Sequence, residues 1–87
     1  MVSNLQFPRV RRMMDGRSGE LFYEEEGRFV STYIEMSGDL KYTFLVWLED
    51  IKSKEWSSGE KITESDFERI RIAFMEWAKE KGIECQW

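Results

Sequence analysis

Histidine is absent from this 87-residue sequence, and cysteine occurs once, as Cys85. The absence of histidine removes the side chain that most often serves as general base or metal ligand, and with it the Ser-His and Cys-His pairs of nucleophilic catalysis. One cysteine without histidine cannot supply the ligands of a tetrahedral zinc site. A single cysteine also cannot form an internal disulfide bond, which favours a reducing, cytoplasmic location.

Long apolar runs and phosphate-binding loops are also missing. The longest apolar stretch, residues 44–48, is far shorter than the roughly 20 residues that a membrane-spanning helix needs. Residues 1–16 carry Arg9, Arg11 and Arg12 in place of the apolar core of a signal peptide. Gly16 and Gly19 are not followed by the Lys-Ser or Lys-Thr pair of a phosphate-binding loop. We therefore expect a protein that is not an enzyme, binds no metal or cofactor and does not enter the membrane.

The composition is that of one small folded domain, with 41% hydrophobic, 34% charged and 15% aromatic residues. Charge is unevenly distributed. Residues 1–17 hold four arginines and one aspartate, a charge of +3, which leaves −7 for residues 18–87 out of a total of −4. An acidic domain repels phosphate backbones and attracts basic protein surfaces. The charge thus argues against nucleic acid as a partner and allows a basic protein partner, although it would equally serve solubility alone.

Turn signals divide the first half of the chain into four runs that favour β-strands, at about residues 5–14, 20–25, 28–36 and 40–48. Each gap is short enough to join antiparallel neighbours, so the runs predict a β-meander. Pro8 predicts that the first strand lies at an edge of the sheet.

One side of the fourth run is expected to face the core, and its residues alternate along the chain: Leu40, Tyr42, Phe44, Val46 and Leu48. Aromatic and apolar residues are adjacent in the neighbouring runs, as in Phe22-Tyr23 and Phe29-Val30. Adjacent residues of a strand point to opposite faces, so some aromatic surface must remain on the face of the sheet that is turned away from the core.

A single long helix is predicted at about residues 64–81. Thr63 is suited to the N-cap, Asp66 completes a capping box, and Gly82 fits the left-handed position after the last turn. Helical spacing produces one apolar stripe: Phe67, Ile70, Phe74, Trp77 and Ala78. Residues 83–87 alternate as a short final strand. The prediction is an α+β two-layer domain spanning residues 1–87: a mainly antiparallel four- to five-stranded β-meander covered on one face by a C-terminal helix.

Acidic and aromatic residues near the predicted strand ends are the candidate partner-binding residues: Glu24, Glu25, Glu26, Trp47, Glu49, Asp50 and Trp56. Paired carboxylates can catalyse glycoside hydrolysis or bind metal, but at a hairpin tip and a strand end they are typical of solvated turns. If these carboxylates form a binding surface, they would accelerate the encounter with a basic protein. For Trp56, the favoured interpretation is a pin that holds the helix to the sheet, with a partner anchor as the alternative.

The order of features resembles a known family. The segments EEEGRFVSTYIEM, FLVWLEDIKSKEW and the helix start ITESDFER are similar to small immunity proteins of bacterial polymorphic-toxin and contact-dependent growth inhibition systems, some of which show a strand, an Ile…Trp element and an I[ST]-x-x-[DE] helix start. The resemblance begins at about Gly19 and depends on Ile51, Trp56, Gly59 and residues 62–69. It implies a protein that binds a cognate toxin domain and blocks its active site or substrate approach. No contact residue is carried over.

Two other functions stay open. A small accessory subunit could use the second sheet face, with Phe22, Tyr33 or Trp47, to form a homodimer or to bind a larger enzyme. A nucleic-acid binder could combine aromatic stacking with the RVRR run of the first strand, a use that predicts salt-sensitive binding.

Overall fold

The computed structural model describes residues 9–87, so the predicted strand residues 5–8, with Pro8, lie outside the described part of the chain. The elements follow one another as β1 (Arg9–Asp15), β2 (Ser18–Glu25), β3 (Arg28–Met36), β4 (Phe44–Val46), a 3-10 helix (Leu48–Ser53), α1 (Glu64–Lys81) and β5 (Cys85–Gln86). The strands form one sheet in the order β1-β2-β3-β4-β5, and only the β4–β5 pair is parallel. The predicted α+β domain with a β-meander and one long C-terminal helix is confirmed. Neither helix in residues 9–87 has the length and apolar character needed to cross a membrane.

Two tight turns set the register of the first three strands. Gly16, with φ of 72°, occupies the first central position of the β1–β2 turn, where a type II′ turn requires a positive φ. Glu26 and Gly27, with φ of 49° and 79°, have the two positive φ angles of a type I′ turn between β2 and β3. Since a shift of one residue would turn every side chain to the opposite face, these turns decide which residues of β2 face the core.

The core lies between the sheet and α1. β2 and β3 supply the largest share of the strand residues in it, at alternate positions: Leu21, Tyr23, Val30, Thr32 and Ile34. α1 adds Ile70, Phe74 and Ala78, and the segment between β4 and α1 adds Ile51 and Trp56. Cys85 of β5 is also buried.

Local signals account for both ends of α1, and the predicted helix bounds are confirmed. The Thr63 hydroxyl accepts a hydrogen bond from the Asp66 amide at 3.0 Å, and the Asp66 carboxylate accepts one from the Thr63 amide at 3.0 Å. Gly82 is left-handed, with φ of 69°. The amide of Ile83 donates to the carbonyl of Ala78 at 2.9 Å, and that of Gly82 to Lys79 at 3.1 Å, which is a Schellman motif.

The prediction of a fourth strand over residues 40–48 is wrong at both ends. Leu40 is fully exposed and Leu48 begins the 3-10 helix, so β4 has only three residues. Asp39 is the reason at the first end: its side chain accepts from the amide of Lys41 at 2.9 Å and its carbonyl from that of Tyr42 at 3.2 Å. These local bonds hold the chain in a turn and compete with the strand.

The segment after β4 covers the part of the β3 edge that a longer β4 would have paired. The amide of Ser57 donates to the carbonyl of Phe29 at 2.8 Å, and the amide of Phe29 donates to the Ser57 hydroxyl at 3.0 Å. The Lys54 ammonium donates to the carbonyl of Ser31 at 2.8 Å. The long strands β2 and β3 therefore have hydrogen-bonding partners along both edges. Of the long described strands, β1 alone has a neighbouring strand, β2, on only one of its two edges.

Candidate functional site

The side of the sheet that faces away from α1 has no element of the described chain packed across it as a layer. We call it the outer face, and strand alternation assigns to it Arg9, Arg11, Met13, Glu20, Phe22, Glu24, Phe29, Ser31, Tyr33, Glu35 and Leu45, with Trp47 beside Tyr33. The predicted aromatic surface away from the helix is therefore present.

Two pairs of aromatic rings dominate the outer face. Tyr33 and Trp47 meet edge to face, with ring centroids 4.9 Å apart and an interplanar angle of 72°. Phe22 and Phe29 lie 5.9 Å apart at 59°. Phe29, Tyr33 and Trp47 are 45%, 41% and 38% exposed, which is high for large side chains that are held in place by ring packing. The arrangement presents a preorganised apolar surface.

Charged side chains of the outer face are bonded within the chain. Arg9 forms an ion pair with Glu24 at 3.1 Å, and the guanidinium of Arg11 stacks over Phe22 at 5.3 Å. The hydroxyl of Tyr33 donates to Glu35 at 2.9 Å, and that of Ser31 to Glu20. Of these contacts, only the one between Arg9 and Glu24 is an ion pair, so a protein that covers the outer face would have to supply polar or charged partners for the other ionised groups.

The acidic candidate residues lie in two places. Glu24 is on the outer face and Glu26 is exposed in the β2–β3 turn. Glu49 and Asp50 are exposed in the first turn of the 3-10 helix, and Glu49 pairs with Lys52 at 3.0 Å. Among these carboxylates, Glu26 and Asp50 have no ion pair within the described chain. Of the candidate carboxylates, they are therefore the ones most available to a basic partner.

Glu25 does not belong to this surface, and its prediction as a partner-binding residue is corrected. It is 8% exposed and faces α1, because the β2–β3 turn sends Glu24 outward and Glu25 inward. Its carboxylate accepts hydrogen bonds from the Tyr23 hydroxyl at 2.7 Å, from Arg28 at 3.0 Å and from two nitrogens of Arg69 at 2.8 and 3.2 Å. Burial alone would raise the pKa of Glu25, but these donors outweigh it and lower the pKa.

Trp56 is also interior, at 2% exposure, so it is the predicted pin and not a partner anchor. Its indole N–H donates to the Asp66 carboxylate at 3.1 Å, which joins it to the helix capping box. Its ring lies 6.0 Å from the ring of Tyr23 and 4.0 Å from the guanidinium of Arg28. One side chain therefore links β2, the first turn of α1 and the connector, as we call residues 54–63 between the 3-10 helix and α1.

Asp66 is expected to make the stability of the protein depend on pH. Burial opposes its ionisation, but hydrogen bonds from Thr63, Trp56 and Arg69 lower its pKa from 3.8 to about 2. A lowered pKa means that the ionised group stabilises the fold above about pH 4 and that this contribution, about 2 kcal/mol, is lost as the pH falls from about 4 through 2.

Urea unfolding of the wild type and of Asp66→Asn between pH 7 and 2 would measure this contribution. We expect the variant to be less stable at neutral pH and to lose less stability than the wild type between pH 4 and 2. Parallel curves for the two proteins would show that Asp66 does not carry the effect.

Sequence reasoning did not include Phe29 among the candidate partner-binding residues, and it named Tyr33 only for the accessory-subunit alternative. The signal was present in β3, where alternation buries Val30, Thr32 and Ile34 and turns Phe29, Ser31 and Tyr33 to the other side. In residues 9–87 no group of three or more His, Cys, Asp or Glu side chains is arranged to hold a metal ion.

The chain was compared with protein-family models, curated proteins and solved structures, and no family model, curated protein or solved structure matches it.

Proposed function

We propose that this protein is a bacterial immunity protein that binds a cognate toxin domain through the outer face of its sheet and so blocks the toxin, with no chemistry of its own. The observation that carries the proposal is the group of exposed aromatic rings at Phe29, Tyr33 and Trp47 on the face opposite α1. The resemblance of the sequence to immunity proteins supplies the class of partner.

Aromatic side chains are the residues that most often dominate binding energy at protein interfaces. They cover large areas with few rotatable bonds, so little conformational entropy is lost when they are buried. Tyr33 and Trp47 already hold each other in place at 4.9 Å, which further lowers the cost of ordering them on binding.

The exposed carboxylates and the net charge indicate the kind of surface that would bind this protein. Glu26 and Asp50 are exposed, and the chain has a net charge of −4, so a basic toxin surface would be attracted over a distance and oriented before contact. The proposed site of action is the bacterial cytoplasm, where the single thiol of Cys85 stays reduced.

The alternative function is that of an accessory subunit that self-associates or binds a larger enzyme. The same exposed rings favour it, because an apolar face of this kind suits a constitutive subunit contact as well as an inhibitor contact. The two functions differ in their partner and not in the surface that they use.

Co-expression with the toxin domain encoded immediately upstream tests the proposal. We expect the wild type to restore growth and to bind the purified toxin domain in equal amount. Trp47→Ala and Tyr33→Ala should each weaken that binding at least about 10-fold, as truncation of interface aromatics does. Ile72→Ala is the matched control, because Ile72 is an exposed apolar residue on α1 (47% exposed) and should leave binding unchanged.

Failure to protect against that toxin, or the absence of a toxin-like gene at that position, would contradict the immunity proposal. Equal losses for Ile72→Ala and Trp47→Ala would instead contradict the assignment of the outer face. Unfolding curves for each variant separate a binding defect from a loss of the fold, and because all three side chains are exposed we expect small changes in stability.

A further inference from the structure

The free edge of β1 is a second surface that the outer face does not include. β1 extends over Arg9–Asp15 and pairs with β2 along its whole length, while no described strand lies on its other side. An unpaired strand edge of this length is a template for another strand. The sequence of the edge, RVRRMMD, indicates which strand it accepts.

The outward hydrogen-bonding groups of β1 follow from its turn. Asp15 and Ser18 close the two-residue turn and therefore exchange hydrogen bonds with each other. Alternation then directs the N–H and C=O groups of Arg9, Arg11 and Met13 toward β2 as well. The groups of the residues between them, at 10, 12 and 14, point to the free edge.

We propose that β1 pairs antiparallel with β1 of a second copy of this chain, about a two-fold axis at Arg12, to form one continuous sheet. In this register Arg9 lies opposite Asp15 of the second copy, at both ends of the strand pair. Val10 lies opposite Met14 on the side that faces α1, and Arg11 opposite Met13 on the outer face. The seven paired residues supply about six backbone hydrogen bonds.

Self-complementarity is the argument for a second copy over an unrelated strand. The only acidic residue of β1 stands at one end and Arg9 at the other, so antiparallel self-pairing brings opposite charges together twice. Met13 is 56% exposed and is covered in the pairing by the alkyl stem of Arg11.

At the two-fold axis Arg12 lies opposite Arg12 of the second copy, but the charged guanidinium group of Arg12 lies away from the axis. Its guanidinium stacks over the ring of Phe44, with 5.0 Å to the centroid. Phe44 belongs to β4, so the side chain crosses the sheet away from the free edge. The two Arg12 guanidinium groups are therefore not juxtaposed at the centre of the strand pair.

A groove between β1 and α1 lies next to the free edge of β1. Val10 and Arg12 line a groove of about 970 Å³ with Ala73, Trp77 and Ile83. A second β1 would carry Val10 and Met14 of the second copy along the rim of this groove. The pairing thus extends the apolar layer under α1 in addition to the backbone ladder.

Sedimentation of the full chain over a range of concentrations tests the proposal. We expect a dimer with twice the 10.5 kDa chain mass. Asp15→Arg and Arg9→Asp should each raise the dimer dissociation constant about 10-fold or more, because each converts two attractive contacts into repulsive ones. The double variant with both changes should return to within about 3-fold of the wild type, because the exchange restores both pairs.

A chain that stays monomeric at about 1 mM would overturn the proposal, since a dimer weaker than that has no useful affinity. Single and double variants that weaken the dimer equally would overturn the register. Trp47→Ala serves as the control: a dimer that survives it supports the β1 edge, and one that dissociates would assign self-association to the outer face instead. Toxin binding is not needed for any of these readouts, so this proposal and the proposed function can fail separately.

Discussion

Trp56→Ala should lower the free energy of unfolding by about 3–5 kcal/mol, the range observed when a buried tryptophan or phenylalanine is truncated. Trp56 is 2% exposed, and its removal leaves a cavity between Tyr23 and the first turn of α1. The Asp66 carboxylate also loses the indole N–H that lies 3.1 Å away. Small domains have a total stability of about 5–15 kcal/mol, so much of the population would unfold under mild conditions.

Trp47→Ala is the control for this experiment, since it removes the same side chain from the outer face, where 38% of it is exposed. We expect that variant to lose about 1 kcal/mol or less. Urea unfolding followed by far-ultraviolet circular dichroism compares the two without depending on tryptophan fluorescence. Similar losses for both tryptophans would mean that Trp56 is not the element that holds α1 to the sheet.

Glu25→Ala should cost about 2–4 kcal/mol, because it leaves the buried Tyr23 hydroxyl without its acceptor and removes one of the two carboxylates that pair with Arg28, the other being Glu60. Arg69 moderates the loss, since its side chain is 44% exposed and can turn to water. Burial and the Glu25 carboxylate together raise the pKa of Tyr23 to about 12, so the hydroxyl remains a donor at all physiological pH values.

Glu24→Ala provides a matched control one residue away. Glu24 pairs with Arg9, whose side chain is 66% exposed, and such surface ion pairs contribute about 0–1 kcal/mol. Unfolding of the two variants at pH 7 should therefore differ by more than about 1 kcal/mol, with Glu25→Ala the less stable. If the order were reversed, the inward orientation of Glu25 would be wrong.

These two comparisons divide the aromatic and acidic residues into structural and functional groups. Trp56 and Glu25 stabilise the connection between β2, the connector and α1, whereas Trp47 and Glu24 remain at the surface. Substitutions that test partner binding therefore belong on Trp47, Tyr33 and Phe29, where they leave the core intact.

Local signals in the sequence were enough to predict α1 to the residue, because a capping box and a left-handed glycine act within a few positions of the chain. The same holds for the tight turns that separate the first three strands. The fourth strand could not be predicted in this way, because periodicity favoured a strand at Leu40 and Tyr42 while the side chain and carbonyl of Asp39 bonded the neighbouring amides.

By itself, the sequence determined the α+β class, the helix with both its ends, the β-meander and the lack of histidine chemistry, since each depends on composition or on interactions between near neighbours. Only the tertiary structure decided that Glu25 faces inward and Glu24 outward, that Trp56 is buried, and that Phe29, Tyr33 and Trp47 share an open face. The physical reason is that the orientation of a strand side chain depends on the register with its neighbours. That register depends on turn geometry and on contacts with residues tens of positions away, such as the one between Glu25 and Arg69.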